Sequence, residues 1–275
     1  MVTFPNAKIN IGLNVLKKRS DGYHDISTVM MPIPWRDILE IIPAGKNCDT
    51  LTVTGREICC PPEKNLIMKA VKEFRKHAEI PPVDVYLHKV IPDGAGLGGG
   101  SADAAFALKA VNDIFSLDFD DKTLAEIASA IGADCPFFIY NRPMLCEGTG
   151  TTLSDFDLRL PDGLTLVVVK PDVGVSTKEA YSGVIPAYPE ISLAKRLSES
   201  DFDEWQNVVR NDFEYSVFPL YPSIAEIKKE LFKMGASYAS MSGSGSSVFA
   251  FFNSDIVADN IKLLFPGCDI LVSRL

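Results

Sequence analysis

The stretch PDGAGLGGGSADAAFAL, residues 92–108, puts five glycines into seven positions and then runs directly into a helix-forming segment. Glycine loses more conformational freedom on ordering than any other residue, so such a cluster needs a reason in backbone geometry or in close approach of a ligand. Bare N–H groups that lead into a helix N-terminus form an anion cradle with the helix dipole behind it. Two phosphate patterns fit these residues incompletely. Gly94-x-Gly96-x-x-Gly99 satisfies the dinucleotide fingerprint, but the acidic residue due about 20 residues later, at the end of the next strand, falls between two expected helices near residues 118–121. Gly94, Gly99 and Ser101 have P-loop spacing, yet Gly100 stands where the lysine belongs. The HRD and DFG elements of protein kinases do not occur in the sequence. What survives is a phosphate-binding loop, with a ligand-free strand-to-helix connection as the alternative.

The rest of the chain supplies alternating strands and helices. Ala7, Ile9, Ile11, Leu13 and Val15 point to one side of an expected strand, and Lys8, Asn10, Gly12 and Asn14 to the other. That pattern predicts a half-buried strand with one polar face. Further strands are expected near 38–42, 51–54 and 83–91, and a helix over 65–77. After the glycines, Ala104, Leu108, Val111 and Phe115 have helical spacing, and Thr123-x-x-Glu126 reads as a capping box for a second helix stopped by Gly132. The turn-rich segment 153–163 marks a domain boundary, giving domains of 1–158 and 159–275. The second carries strands at 164–169 and 269–272, helices at 224–234 and 256–264, and a glycine-serine turn in MSGSGSSVFAFF. The fold class expected is α+β.

Composition narrows the function. The 275 residues are 47% hydrophobic and carry a formal net charge of −9, without the basic face that nucleic-acid binding needs. No apolar run reaches the roughly 18 residues of a membrane span. The opening MVTFPNAKINIGL has no basic leader ahead of an apolar core, so no export signal is expected. None of the six cysteines forms a C-x-x-C pair, and only His24, His77 and His88 are available beside them. A zinc site or disulfide framework is therefore not expected, and a reducing, cytoplasmic setting is.

PDGAGLGGGSADAA resembles the central ATP-binding motif of the GHMP kinases, and MSGSGSSVFAFF resembles their third motif. PNAKINIGLNVLKKRSDGYHDI and IGADCPFF are similar to the branch of that superfamily that acts on CDP-linked methylerythritol. The resemblance covers nearly the whole chain in the right order. It implies a ribosomal-S5-like N-terminal domain, a ferredoxin-like C-terminal domain and an active site between them. It also implies ATP-dependent phosphorylation of a small-molecule hydroxyl, with ATP and Mg2+ as cofactors and a monomer or homodimer as the assembly. A kinase for mevalonate or homoserine, or a nucleotide-binding module without catalysis, are the competing readings.

The same resemblance assigns roles. Asp134 is the general base and Lys8 its cationic partner, against the alternatives of an acidic turn residue and a solvated lysine. Pro92, Asp93, Gly94, Ala95, Gly96, Leu97, Gly98, Gly99, Gly100, Ser101 and Ala102 cradle ATP phosphates. Asn65, Lys89 and Asn112 lie on the adenine side, with core or surface roles as the alternative. Asn10, Tyr23, His24, Thr177, Tyr181 and Gly243 bind the acceptor, the cytosine stacking on Tyr181 and meeting His24 at its edge. Met30 departs from the family, which often carries an aromatic there.

Overall fold

The computed structural model describes residues 1–58 and 60–275, so Cys59 lies outside the described residues. The chain opens with strands β1 (Val2–Thr3), β2 (Asn6–Lys18), β3 (His24–Arg36), β4 (Ile38–Pro43) and β5 (Thr50–Gly55). Helix α1 (Leu66–Phe74), strand β6 (Val83–Lys89) and helices α2 (Gly99–Ile114), α3 (Asp121–Ser129) and α4 (Cys135–Tyr140) follow. Next come β7 (Met144–Gly148), β8 (Thr152–Asp155), β9 (Thr165–Lys170), α5 (Thr177–Ser182), α6 (Leu193–Glu199) and α7 (Trp205–Val208). The chain closes with α8 (Glu214–Leu220), α9 (Pro222–Lys233), β10 (Tyr238–Met241), β11 (Val248–Phe252), α10 (Ala258–Leu264) and β12 (Asp269–Arg274). Helices and mixed sheets thus give the α+β fold.

Two compact units interleave along the sequence. One comprises Met1–Lys8, Pro32–Asp93 and Gly98–Arg142; the other comprises Ile9–Met31, Gly94–Leu97 and Pro143–Leu275. The turn-rich segment 153–163 lies inside the second unit.

In the first unit, a four-stranded sheet has the order β1-β4-β6-β5, with only the β5–β6 pair parallel. Alternation in β6 buries Val83, Val85 and Leu87. Helix α1 buries Ile67, Ala70, Val71 and Phe74, a stripe at helical spacing. Burying a side chain such as Phe74 stabilises the fold by about 1.5–3 kcal/mol. Helix α2 buries Ala102, Ala104, Ala105, Ala107 and Ala110, and such small residues let its backbone approach its neighbours closely. Helix α3 begins earlier than its sequence suggests. Its N-cap is Asp120, whose carboxylate accepts from the Thr123 N–H at 2.8 Å, so the expected capping box at Thr123 is not used.

In the second unit, β10-β11-β9-β12 form an antiparallel sheet whose strands β9, β10 and β11 are almost wholly buried. Val167, Val169, Ala239, Met241, Val248 and Ala250 pack there with Ile224, Ile227 and Leu231 of α9. A further sheet has the order β2-β3-β7-β8, with Ile26–Met30 of β3 antiparallel to Met144–Gly148 of β7. Strand β3 is absent from the sequence expectation because Pro32 and Pro34 interrupt its apolar run, a pattern that argues against a central strand.

The expected solvent face of β2 is buried. Lys8, Asn10 and Asn14 are all nearly inaccessible. At Gly12, φ is +68° and a Cβ would stand 2.6 Å from Leu193 Cδ1 and 2.9 Å from Val209 Cγ1, so other segments cover this face. Side chains confined in this way have few partners other than one another or a ligand.

Candidate active site

In the first unit, the ammonium of Lys8 lies 3.5 Å from Asp134 Oδ2, with the lysine side chain 4% exposed and the aspartate 33% exposed. Asp134 is the N-cap of α4, yet its side chain makes no capping hydrogen bond, which leaves the carboxylate turned to other uses. Gly98, the N-cap of α2 at φ +71°, packs against this pair. A Cβ there would stand 3.2 Å from Lys8 Cε and 2.9 Å from Phe138 Cζ. The end of the glycine loop therefore touches Phe138 of α4 on one side and the Lys8 stem on the other. Burial first, with Asp134 adding and Ser101 working the other way, pushes the Cys135 thiol up to about 12. That thiol is inert as a nucleophile.

Behind the loop lie three buried ionisable side chains. Lys89 Nζ contacts Asp37 Oδ2 at 2.5 Å and Asp103 Oδ2 at 3.0 Å. Asp37 Oδ1 also accepts from the backbone N–H groups of Val90 at 2.6 Å and Ile91 at 2.8 Å. A Cβ on Gly99 would lie 2.9 Å from Lys89 Nζ, which explains why this position carries none. Neither Asp37 nor Asp103 was singled out from sequence, and no local pattern distinguishes them from surface aspartates.

In the second unit, Asn10 donates from Nδ2 to Thr28 Oγ1 at 3.0 Å, and its backbone N–H donates to Ser242 Oγ at 3.2 Å. Ser242 Oγ donates in turn to the Gly96 carbonyl at 2.9 Å. A Cβ on Gly243 would stand 3.3 Å from Asn10 Oδ1, and one on Gly96 only 2.1 Å from the Ser242 carbonyl oxygen. Gly94–Leu97 is thereby seated on the glycine-serine turn, with Asn10 beside it. Asn211 holds the turn from below, donating to the Met241 and Gly243 carbonyls at 2.7 and 2.8 Å. Thr28, Ser242 and Asn211 are supporting residues that sequence reasoning did not identify.

His24 and Tyr181 come together as a stacked pair, centroids 4.6 Å apart and planes 15° apart, with Phe213 edge-on to Tyr181 at 4.7 Å. Tyr23 is 68% exposed. Thr177 is exposed at the start of α5, whose capping box is made by Ser176 and Glu179. Met30 is buried in β3. Asn65 is the N-cap of α1, its Oδ1 accepting from Ile67 N–H at 2.9 Å. Asn112 exchanges two hydrogen bonds with the backbone of Phe119, at 3.0 and 3.2 Å. In Asn65 and Asn112 the amide side chains have structural partners in the protein itself. Pro92, Ala95, Leu97, Gly99 and Ala102 are buried, whereas Asp93 and Gly94 are exposed.

Comparison with known proteins extends this geometry. Residues 65–142 match the GHMP kinases N terminal domain and residues 192–263 the GHMP kinases C terminal domain. The chain is 54% identical over 257 residues to a 4-diphosphocytidyl-2-C-methyl-D-erythritol kinase of Bacteroides fragilis, covering 93% of each. It is 55% identical over 252 residues to the protein of the same name from Parabacteroides distasonis, covering 92% of each. A crystal structure of 4-(cytidine 5'-diphospho)-2C-methyl-D-erythritol kinase superposes with a TM-score of 0.80 at 28% identity, covering 100% of this chain and 98% of that one. With the glycine loop, the Lys8–Asp134 pair and the glycine-serine turn in place, the chain belongs to the 4-diphosphocytidyl-2-C-methyl-D-erythritol kinase family of the GHMP kinases.

Proposed function

We propose that this chain transfers the γ-phosphoryl group of ATP to the 2-hydroxyl of 4-diphosphocytidyl-2-C-methyl-D-erythritol, a step of the non-mevalonate isoprenoid route. Family membership supports ATP as donor and an alcohol as acceptor. Phosphoryl transfer asks little covalent chemistry of the protein, so catalysis is positioning plus electrostatics. Asp134 orients the hydroxyl and takes its proton; Lys8, 3.5 Å from that carboxylate, offsets charge on the transferring group. The observation that carries the reading is this pair packed against Gly98 at the end of the glycine loop.

Residues 92–102 take the ATP phosphates, with Ser101 at the helix start. Asn65, Lys89 and Asn112 lie on the adenine side in this reading, Lys89 by supporting the loop behind Gly99. Among the described residues no three His, Cys, Asp or Glu side chains gather into a metal cage. The Ser101 hydroxyl at the start of α2 would hold either an ATP phosphate oxygen or a Mg2+ ion accompanying the phosphates, and that ion would neutralise their charge. On the acceptor side, Asn10 and Gly243 bind the substrate, and Thr177 joins them near Tyr181, on the same helix α5. The rings of His24 and Tyr181 already stand at stacking separation, so nothing fits between them. For cytosine to lie on Tyr181, His24 yields that face and moves to the edge of the base, with exposed Tyr23 covering the other side.

Residues 1–158 form the ATP-binding and catalytic part in this reading and 159–275 the substrate-side part, in a cytoplasmic monomer or homodimer. The test is coupled ADP release with the CDP-linked alcohol, mevalonate and homoserine offered separately. Turnover confined to the CDP-linked alcohol is expected. Preference for a small alcohol, or ADP release with none of them, overturns the proposal.

A further inference from the structure

Residues 210–214 spell Arg-Asn-Asp-Phe-Glu and bond to strand β2 on one side and to the glycine-serine turn on the other. Leu13 N–H donates to the Arg210 carbonyl at 2.9 Å, and Asp212 N–H to the Leu13 carbonyl at 2.8 Å, a short parallel bridge. On such an extended backbone successive side chains point to opposite sides. Asp212 turns to β2, its Oδ2 accepting from Val15 N–H at 2.8 Å and its Oδ1 from Asn14 Nδ2 at 3.3 Å. Asn211 turns to the glycine-serine turn and donates to the Met241 and Gly243 carbonyls at 2.7 and 2.8 Å. We infer that Asn211 is a positioning residue for the acceptor, holding Gly243 in fixed register with Asn10 of β2. The inference rests on the reading of Asn10 and Gly243 as acceptor-binding residues.

The position suits asparagine alone among small polar side chains. Asn211 is 1% exposed, and its Oδ1 accepts from Phe213 N–H at 3.0 Å while Nδ2 serves the two carbonyls. A side-chain amide offers two donors and an acceptor in one plane, whereas serine has one donor and an ionised aspartate none. What it holds has little slack. Gly243 takes φ +54°, and a Cβ there would stand 3.3 Å from Asn10 Oδ1. Glu214 adds a tie to the strand before the turn, its Oε1 accepting from Met241 N–H at 2.8 Å, but it does not reach Gly243.

The glycine loop has separate ties to the same turn. Ser242 Oγ donates to the Gly96 carbonyl at 2.9 Å, and Ser247 N–H to the Ala95 carbonyl at 3.2 Å. Neither bond involves Asn211. Removing the amide therefore frees Gly243, on the acceptor side, and leaves the loop seated. A buried polar group deprived of its partner moves to find another or bears the cost, which corresponds to a loss of about 10- to 100-fold in acceptor affinity.

The experiment is coupled ADP release by the intact protein, with KM for the CDP-linked alcohol, KM for MgATP and kcat measured on wild type, Asn211→Ala, Asn211→Ser and Asn10→Ala. Acceptor KM rises about 10- to 100-fold in Asn211→Ala and less in Asn211→Ser, which keeps one donor. MgATP KM and kcat change by smaller factors. A role confined to stability lowers Tm and the active fraction, hence kcat, and leaves both KM values in place; that result overturns the inference. So does an equal rise in both KM values, or failure of both Asn211 variants to fold by circular dichroism. Asn211→Ser decides alone if only Asn211→Ala is unfolded. A wild-type acceptor KM in folded Asn10→Ala sinks the acceptor-side reading instead, whatever Asn211 does.

Discussion

Lys8 is buried almost to its tip, while Asp134, 3.5 Å from its ammonium, keeps a third of its side chain in contact with solvent. The pair is therefore one-sided: the cation is fixed by the fold and the carboxylate is presented. A buried cation without a counter-charge is costly, so Lys8 requires Asp134 as much as Asp134 uses Lys8. Removing either partner has different consequences, which is what makes their roles separable.

Asp134→Asn keeps the shape of the α4 N-terminus, where the side chain makes no capping bond to lose. Turnover with the CDP-linked alcohol falls about 10²–10⁴-fold, the usual worth of general base catalysis. Circular dichroism and MgATP affinity stay close to wild type. Near-normal turnover in the folded variant removes Asp134 from the mechanism.

Lys8→Ala leaves Asp134 without its neighbouring cation and opens space beside Gly98. The chemical step slows more than MgATP binding weakens, since the ammonium stands 3.5 Å from Asp134 while the stem lies beside Gly98. Single-turnover rates against MgATP affinity separate the two. Collapsed affinity with intact single-turnover chemistry assigns Lys8 to nucleotide binding alone.

Two glycines of the loop differ in what they tolerate. At Gly98 a methyl meets Phe138 at 2.9 Å and must adopt φ +71°, whereas at Gly100 the nearest atom is Leu66 Cδ1 at 3.6 Å. Positive φ alone costs an alanine about 1–2 kcal/mol. Gly98→Ala therefore lowers both Tm and MgATP affinity, and Gly100→Ala leaves Tm within about 2 °C of wild type. Equal effects at the two positions contradict the packing described here.

The glycine loop stood out by its composition and Lys8 by its place on the polar face of an alternating strand, whereas Asp134 was picked out only by the resemblance of IGADCPFF to the GHMP kinases. The loop needs positive φ at Gly94, Gly96 and Gly98, and only glycine supplies that without strain. The charged centre of Lys89, Asp37 and Asp103 was not legible, since its members are 52 and 14 residues from one another along the chain. Burial on both sides of β2 was hidden for the same reason: Leu193 and Val209, which cover Gly12, lie far away in sequence. Strand β3 was masked by its own prolines, and α3 by a carboxylate cap that stands three residues before the threonine that looked like one.

The last prediction concerns what the acceptor pocket reads. Tyr181 is held by Phe213 on its edge and covered by His24 on its face. If cytosine replaces His24 there, binding depends on the base as well as on the sugar alcohol. Tyr181→Ala removes a stacking surface worth about 1–3 kcal/mol per base, so acceptor affinity falls about 5- to 150-fold. MgATP affinity is unchanged, because the tyrosine lies outside the glycine loop. Uracil presents an acceptor where cytosine presents its exocyclic amine, and a site built on hydrogen bonds rejects such a swap more sharply than an apolar pocket does. The measurement is kcat/KM for CDP- and UDP-linked methylerythritol on wild type and Tyr181→Ala, with His24 ring resonances followed by NMR on adding the CDP-linked compound. Loss of the upfield ring-current shift imposed by Tyr181 marks the imidazole leaving its stack. Equal use of both nucleotides by wild type, or an imidazole that stays on Tyr181 at saturation, shows that the base is not read at this pair.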